Sequence, residues 1–145
     1  MQLYGFRNPT TGRYHIFGNL TSPFINNLQN SLPFLIDSGS TLTFISYGAA
    51  QIVGVQQEKL PKESFGKMIN GTMPAVALPI GAISFTLPDQ KTVIHEILNE
   101  IYVHTPVINS QQDEINALMM PPVLGMDFLS RYRLTLQNDF CILER

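Results

Sequence analysis

The sequence has few of the features that mark disulfide-rich, nucleic-acid-binding or membrane-spanning proteins. Its 145 residues include one cysteine, Cys141, which excludes an intrachain disulfide framework and a cysteine-rich zinc site. Only 14% of the residues are charged and the formal net charge is −2, so there is no basic excess to contact nucleic acid. The longest apolar stretch, Pro74 to Phe85, is short and broken by proline and glycine, and the N-terminus lacks the apolar core of a signal peptide. We therefore expect a cytoplasmic protein without nucleic-acid or membrane partners.

What the sequence does contain indicates a mainly β protein. Apolar residues make up 44% of the chain, which is enough for a sizeable core, and the length suits one domain covering residues 1–145. Ten glycines and ten prolines divide the chain into short runs rich in β-branched and aromatic residues. The predicted strands cover residues 2–7, 13–20, 32–36, 41–45, 64–69, 72–78, 80–87, 92–104, 132–136 and 140–143.

Two short helices are predicted between these strands. The first carries its apolar face at Ala49 to Val53, with Ser46 as its N-cap and Gly54 just after its last turn. The second covers residues 126–131, and Asp127 is predicted to cap it. The polar segment from 105 to 120 is predicted to be an irregular loop.

The most informative segment is the apolar run that ends in Asp37-Ser38-Gly39. Burying a carboxylate is costly unless its oxygens are hydrogen-bonded, so an aspartate at this position indicates a functional group held at the mouth of the core. The alternative is an ordinary Asp-Ser-Gly turn, in which the side chain bonds its own backbone. Taken alone, the tripeptide favours the turn.

Two further motifs change that balance. A second apolar run ends in Leu124-Gly125 ahead of a predicted helix, and Asn70-Gly71, the strongest hairpin signal in the chain, lies between the two runs. With these motifs in this order, residues 32 to 136 resemble the retropepsins, the single-domain pepsin-like aspartic proteases, and in particular their cellular prokaryotic branch. The resemblance implies a mainly β, closed-barrel acid-protease fold with one or two short helices.

The resemblance also assigns the site residues. Asp37 would be catalytic, Ser38 and Gly39 would support it, and Leu124 and Gly125 would form the strand crossing below it. Peptide hydrolysis without a metal or a nucleophile needs one carboxylate as general base and another as general acid. Because the chain has one such motif, we expect a symmetric homodimer in which two copies of Asp37 share one proton and titrate as a coupled pair. No cofactor and no metal are expected.

The hairpin around Asn70-Gly71 is predicted to be a flap that closes over an extended peptide. Its assigned substrate-binding residues are Met68, Ile69, Asn70, Gly71 and Thr72. The substrate is expected to be a peptide or protein segment that is apolar on both sides of the scissile bond, because the predicted groove walls are themselves apolar. Those walls are Leu35, Ile36, Ile69, Met73 and Val123.

Two alternatives to a free-standing homodimeric endopeptidase stay open. One is a catalytically silent dimeric β module that binds extended peptides in the same groove, although an intact Asp37-Ser38-Gly39 argues for the enzyme. The other is a protease subunit of a longer protein.

Three smaller expectations concern the rest of the chain. Cys141 is predicted to be a small buried hydrophobe, residues 140–143 are a candidate interface strand, and His15, His95 and His104 show no metal-binding spacing.

Overall fold

The computed structural model describes all 145 residues and shows twelve strands and three α-helices. The strands are β1 (Gln2–Arg7), β2 (Tyr14–Thr21), β3 (Leu32–Ile36), β4 (Phe44–Ile45), β5 (Lys67–Ile69), β6 (Met73–Leu78), β7 (Gly81–Thr86), β8 (Val93–Leu98), β9 (Ile101–His104), β10 (Val123–Leu124), β11 (Arg133–Leu136) and β12 (Phe140–Glu144). The helices are α1 (Tyr47–Val53), α2 (Gln111–Met119) and α3 (Met126–Leu129). None of the helices has both the length and the apolar character needed to cross a bilayer.

The strands form one sheet in the order β11-β12-β1-β2-β3-β10-β4-β9-β6-β5, with the β7–β8 hairpin branching from β2. The end strands β11 and β5 do not pair with each other, so the prediction of a closed barrel is wrong. The physical reason lies in β2, whose last residues, Asn19 to Thr21, pair with β7. The β7–β8 hairpin then covers the core, where Ile83 and Phe85 pack with Leu3 and Leu124, and the two ends of the sheet need not meet.

The C-terminal strand β12 lies inside the sheet. It pairs with β1 along one edge, from Gln2 opposite Glu144 to Phe6 opposite Phe140, and with β11 along the other. The candidate interface strand at residues 140–143 therefore has no free edge to which a second chain could add a strand. Cys141 is fully buried in it, as predicted.

The first helix forms where the sequence indicates. The Ser46 hydroxyl accepts a hydrogen bond from the Ala49 amide, and Gly54 ends the helix with φ 69°. That left-handed conformation is one that glycine adopts without steric cost.

The segment predicted as an irregular loop contains α2, so the chain has three helices and not one or two. Ser110 caps α2 by accepting a hydrogen bond from the Asp113 amide. The helix packs on α1 at Gly48, where an added Cβ would lie 2.6 Å from the Leu118 carbonyl oxygen. Such a close approach between backbones is available only to glycine.

Candidate active site

Three short strands place Asp37 at the end of a buried crossing. Strand β10 is parallel to β3, with Leu124 opposite Ile36, and antiparallel to β4, with Val123 opposite Phe44. A strand from late in the chain therefore lies between two strands that are close in sequence. Asp37 follows the last residue of β3 and is half-buried at the edge of this crossing.

Backbone groups hold Asp37 from both sides. The Asp37 amide donates a hydrogen bond to the Leu124 carbonyl at 3.2 Å, and the Gly39 amide donates to Oδ1 of Asp37 at 2.9 Å. Ser38 and Gly39 are exposed, whereas Leu124 is fully buried. The carboxylate therefore keeps one oxygen fixed by the loop and lies at the surface, where a second group can approach it.

Gly125 is required by the close approach of another segment. A Cβ at this position would lie 2.4 Å from the carbonyl oxygen of Leu42 and 2.9 Å from its nitrogen. Backbone atoms cannot yield as the end of a flexible side chain would, so a larger residue would displace the loop that follows Asp37.

Asp127 joins α3 to the loop after Asp37. Its carboxylate accepts hydrogen bonds from the Thr43 amide at 3.1 Å and the Thr43 hydroxyl at 2.6 Å. Gly125 occupies the N-cap of α3 without a side-chain bond, so the prediction that Asp127 caps this helix is wrong. The carbonyls of Ser40 and Thr41 instead accept from the Met126 and Asp127 amides, which satisfies the first donors of the helix.

The Asn70-Gly71 hairpin is present between β5 and β6. Asn70 and Gly71 have φ values of 51° and 78°, and the Thr72 amide donates to the Ile69 carbonyl at 3.2 Å, which closes a tight turn with these two residues at its centre. Met68, Asn70, Gly71 and Thr72 are exposed, but Ile69 is fully buried. Ile69 packs in a small second core with Leu35, Phe44, Ala75 and Val123. Ile69, Leu35 and Val123 therefore lie beneath the surface of this chain, whereas Ile36 and Met73 keep part of theirs exposed.

The tip of the hairpin is bound to the loop after Asp37. Oδ1 of Asn70 accepts from the Thr41 amide at 3.1 Å and the Thr41 hydroxyl at 2.8 Å, while Nδ2 of Asn70 donates to the Ser40 hydroxyl at 3.1 Å. The sequence pattern marked Asn70 as a turn residue but did not mark Ser40 or Thr41. No local signal pairs residues that are 29 positions apart.

A second polar cluster lies away from Asp37. Glu96 is buried, and its carboxylate contacts Arg131 and Arg145 at 2.8 Å each and accepts a hydrogen bond from the Tyr132 hydroxyl. Burial alone would raise the pKa of Glu96, but the bonds from Tyr132 and Arg131 and the charges of Arg145 and Arg131 hold it below its ordinary value. No group of three His, Cys, Asp or Glu side chains is placed to hold a metal ion.

Comparisons with known proteins place the chain by its fold. No protein-family model matches the sequence, and no curated protein sequence does. Among solved structures, the chain has the fold of the retropepsin-like aspartic proteases, which confirms that prediction. One matching structure is the crystal structure of a retropepsin-like aspartic protease from Rickettsia conorii, with a TM-score of 0.56 and 19% sequence identity. The alignment covers 99% of this chain and 89% of that one.

Proposed function

We propose that this protein is an aspartic endopeptidase that works as a homodimer and cleaves extended, largely apolar peptide segments. The observation that carries the proposal is the placement of Asp37. Its carboxylate lies at the end of β3, with one oxygen fixed by the Gly39 amide, next to a crossing strand that ends in Gly125. The shared fold supports this function, because the same architecture is that of a known aspartic protease.

The chemistry needs a second carboxylate, and one chain supplies only Asp37. In the proposed dimer a two-fold axis brings the two copies together, where like charges in close contact share one proton. The ionised carboxylate removes a proton from the bound water, and the water oxygen attacks the scissile carbonyl carbon. The protonated carboxylate gives its proton to the amide nitrogen, the carbon–nitrogen bond breaks, and a carboxylic acid and an amine leave. Activity should therefore pass through a maximum with pH.

The flap would cover the peptide on the side opposite Asp37. The exposed side chains of Met68 and Thr72 and the partly exposed Met73 are available to contact a substrate. The backbone of the turn offers hydrogen bonds to an extended chain, as in strand augmentation. Ile69 supports this surface from below, since it is fully buried.

The decisive comparison is between two Asp→Asn variants. Asp37→Asn should abolish cleavage of an apolar peptide pool while leaving the fold and the dimer intact, because the amide cannot act as a general base. Asp139→Asn makes the same change at an exposed turn residue and should leave activity unchanged. Full activity in the Asp37→Asn protein would refute the proposal.

Subunit mixing tests the shared site. When wild type and Asp37→Asn are mixed equally and exchange freely, about a quarter of the dimers keep both carboxylates, so activity should fall to about a quarter of the all-wild-type value. An enzyme with a complete site in each chain would keep about half. A protein that sediments as a dimer and binds apolar peptides but cleaves none from about pH 3 to 8 would instead be the silent binding module.

A further inference from the structure

The flap is held at two points, by apolar packing at one and by hydrogen bonds at the other. At its base, Ile69 is fully buried in the second core. At its end, the Asn70 side chain makes three hydrogen bonds to Ser40 and Thr41. Gly71 faces open space, since a Cβ added there would have no atom within 4 Å. We refer to the three bonds between Asn70 and Ser40 and Thr41 as the Asn70 latch.

The partners of the latch are fixed relative to Asp37. The Ser40 amide donates to the Asp37 carbonyl at 3.2 Å, and the Ser40 hydroxyl, almost fully buried, donates to the Leu42 carbonyl at 2.7 Å. The carbonyls of Ser40 and Thr41 are bound in turn by the first amides of α3. The latch therefore connects a short hairpin of three residue pairs to a loop whose backbone is hydrogen-bonded on both sides.

We propose that Asn70 is a positioning residue that sets the distance between the flap and Asp37 and so determines how tightly an extended peptide is bound. This inference rests on the proposed function. Asn70 hydrogen-bonds to neither carboxylate oxygen of Asp37. Its loss should therefore weaken peptide binding and leave the chemical step nearly unchanged.

Asn70→Gly is the sharpest variant, because it removes the whole latch without straining the turn. Asn70 has φ 51°, a conformation that glycine adopts at less cost, so the hairpin itself should be retained. Three exposed or half-exposed hydrogen bonds at the lower end of ordinary net strength, each about threefold in affinity, correspond to a rise in KM of about thirtyfold, with kcat within about twofold of wild type. Gln90→Gly is the matched control. It makes the same kind of replacement at the other non-glycine residue with positive φ (62°), in the β7–β8 turn, and should change neither parameter.

Substitutions of Thr41 remove only part of the latch and should therefore give a smaller rise in KM. Thr41→Val removes the hydroxyl bond and keeps the amide bond, so KM should rise by about threefold. Thr41→Ser keeps the hydroxyl and should restore the wild-type value. In the Asn70→Gly background, Thr41→Val should have no further effect, because its partner is already gone. If the two residues acted independently, their effects would add and serine would not restore the wild-type value.

Two measurements that do not depend on cleavage complete the test. Exchange of the Thr41 amide hydrogen should be at least about tenfold faster in Asn70→Gly, since that amide loses its acceptor. Binding of a statine-containing apolar peptide should weaken in parallel with KM. If amide exchange and peptide affinity both respond but the wild type cleaves nothing, the proposed function fails and the latch stands. If either the amide exchange or the affinity is unchanged in Asn70→Gly, the latch is wrong, whatever the enzyme does.

Discussion

Thr43 donates two hydrogen bonds to the carboxylate of Asp127, one from its amide and one from its hydroxyl, although the residues are 84 positions apart. The same hydroxyl accepts a hydrogen bond from the Gly125 amide at 3.1 Å. One buried threonine therefore aligns the loop after Asp37 with the start of α3. The position of Asp37 depends on this junction as well as on its own strand.

The Thr43 hydroxyl can be removed with little change of shape. Thr43→Val should destabilise the protein by about 2 kcal/mol, because the buried Gly125 amide loses its acceptor and Asp127 loses its shorter bond. Urea unfolding of the two proteins measures the difference. Thr41→Val, the same replacement at an exposed position, should cost less than about 1 kcal/mol. Equal costs at the two positions would show that the Thr43 hydroxyl does not hold the two segments together.

Adding a methyl group at position 125 should disturb the site. Gly125→Ala places a Cβ 2.4 Å from the Leu42 carbonyl oxygen, so the backbone has to move. We expect a loss of stability of about 3 kcal/mol and loss of peptide cleavage. Thermal unfolding and an activity assay on the same preparation check both. A variant with wild-type stability would show that the two segments lie further apart than described.

Acid should weaken the Glu96 cluster. Because the folded-state pKa of Glu96 lies below its ordinary value of 4.5, its contribution to stability is present above that pH. The contribution is lost as pH falls from about 4.5 through the lower folded-state value. Glu96→Gln should therefore lower the free energy of unfolding at pH 7 and reduce its dependence on pH below 4.5. Unfolding curves from pH 3 to 7 for both proteins test this, and parallel curves would count against it.

The buried imidazole of His104 should make the stability of the protein depend on pH in a range less acidic than that of Glu96. Its Nδ1 has no hydrogen-bond partner, and burial lowers the pKa of His104 from its ordinary value of 6.5. The unfolded chain therefore binds a proton more readily, and stability should begin to fall once pH drops below about 6.5. His104→Leu removes the unpaired nitrogen and should flatten the melting temperature between pH 5 and 7. His95→Leu, at an exposed position, is the control.

The thiol of Cys141 should be unreactive while the protein is folded. The side chain is fully buried, and burial raises its pKa to about 11. Since the thiolate is the reactive form, a disulfide reagent at pH 8 should label less than one thiol per chain natively and one in denaturant. Rapid labelling under native conditions would mean that β12 separates from β1 or β11.

Local sequence patterns were enough to predict much of the fold and part of the candidate site. Leu32 to Ile36 was predicted with its observed bounds, because a strand buried at most positions is continuously apolar. Ser46, Gly54 and Asn70-Gly71 were found because caps and tight turns depend on neighbouring residues alone. The helix α2 was missed because only Ala117 on it is buried, which leaves no apolar periodicity. The one available signal was Ser110 followed three residues later by Asp113.

What sequence reasoning could not supply depends on contacts between distant segments. The sheet stays open because the last residues of β2 pair with β7. Nothing in the sequence of those residues indicates which strand they pair with. The burial of Ile69 arises because the hairpin lies against Leu35 and Val123. The Asn70 latch joins two loops that no periodic pattern relates.

The position of β10 between β3 and β4 also determines when the site around Asp37 can form during synthesis. The two outer strands leave the ribosome early, but the strand that joins them comes from near the end of the chain. Until residues 122–127 have been synthesised, the Leu35 amide lacks its Pro122 acceptor and Thr43 lacks Asp127. Contacts so distant in sequence form slowly, because the intervening chain has to be ordered first. A growing chain would therefore carry its Asp37 loop unformed until these later residues have been synthesised, so Asp37 would not reach its position at the strand crossing before then.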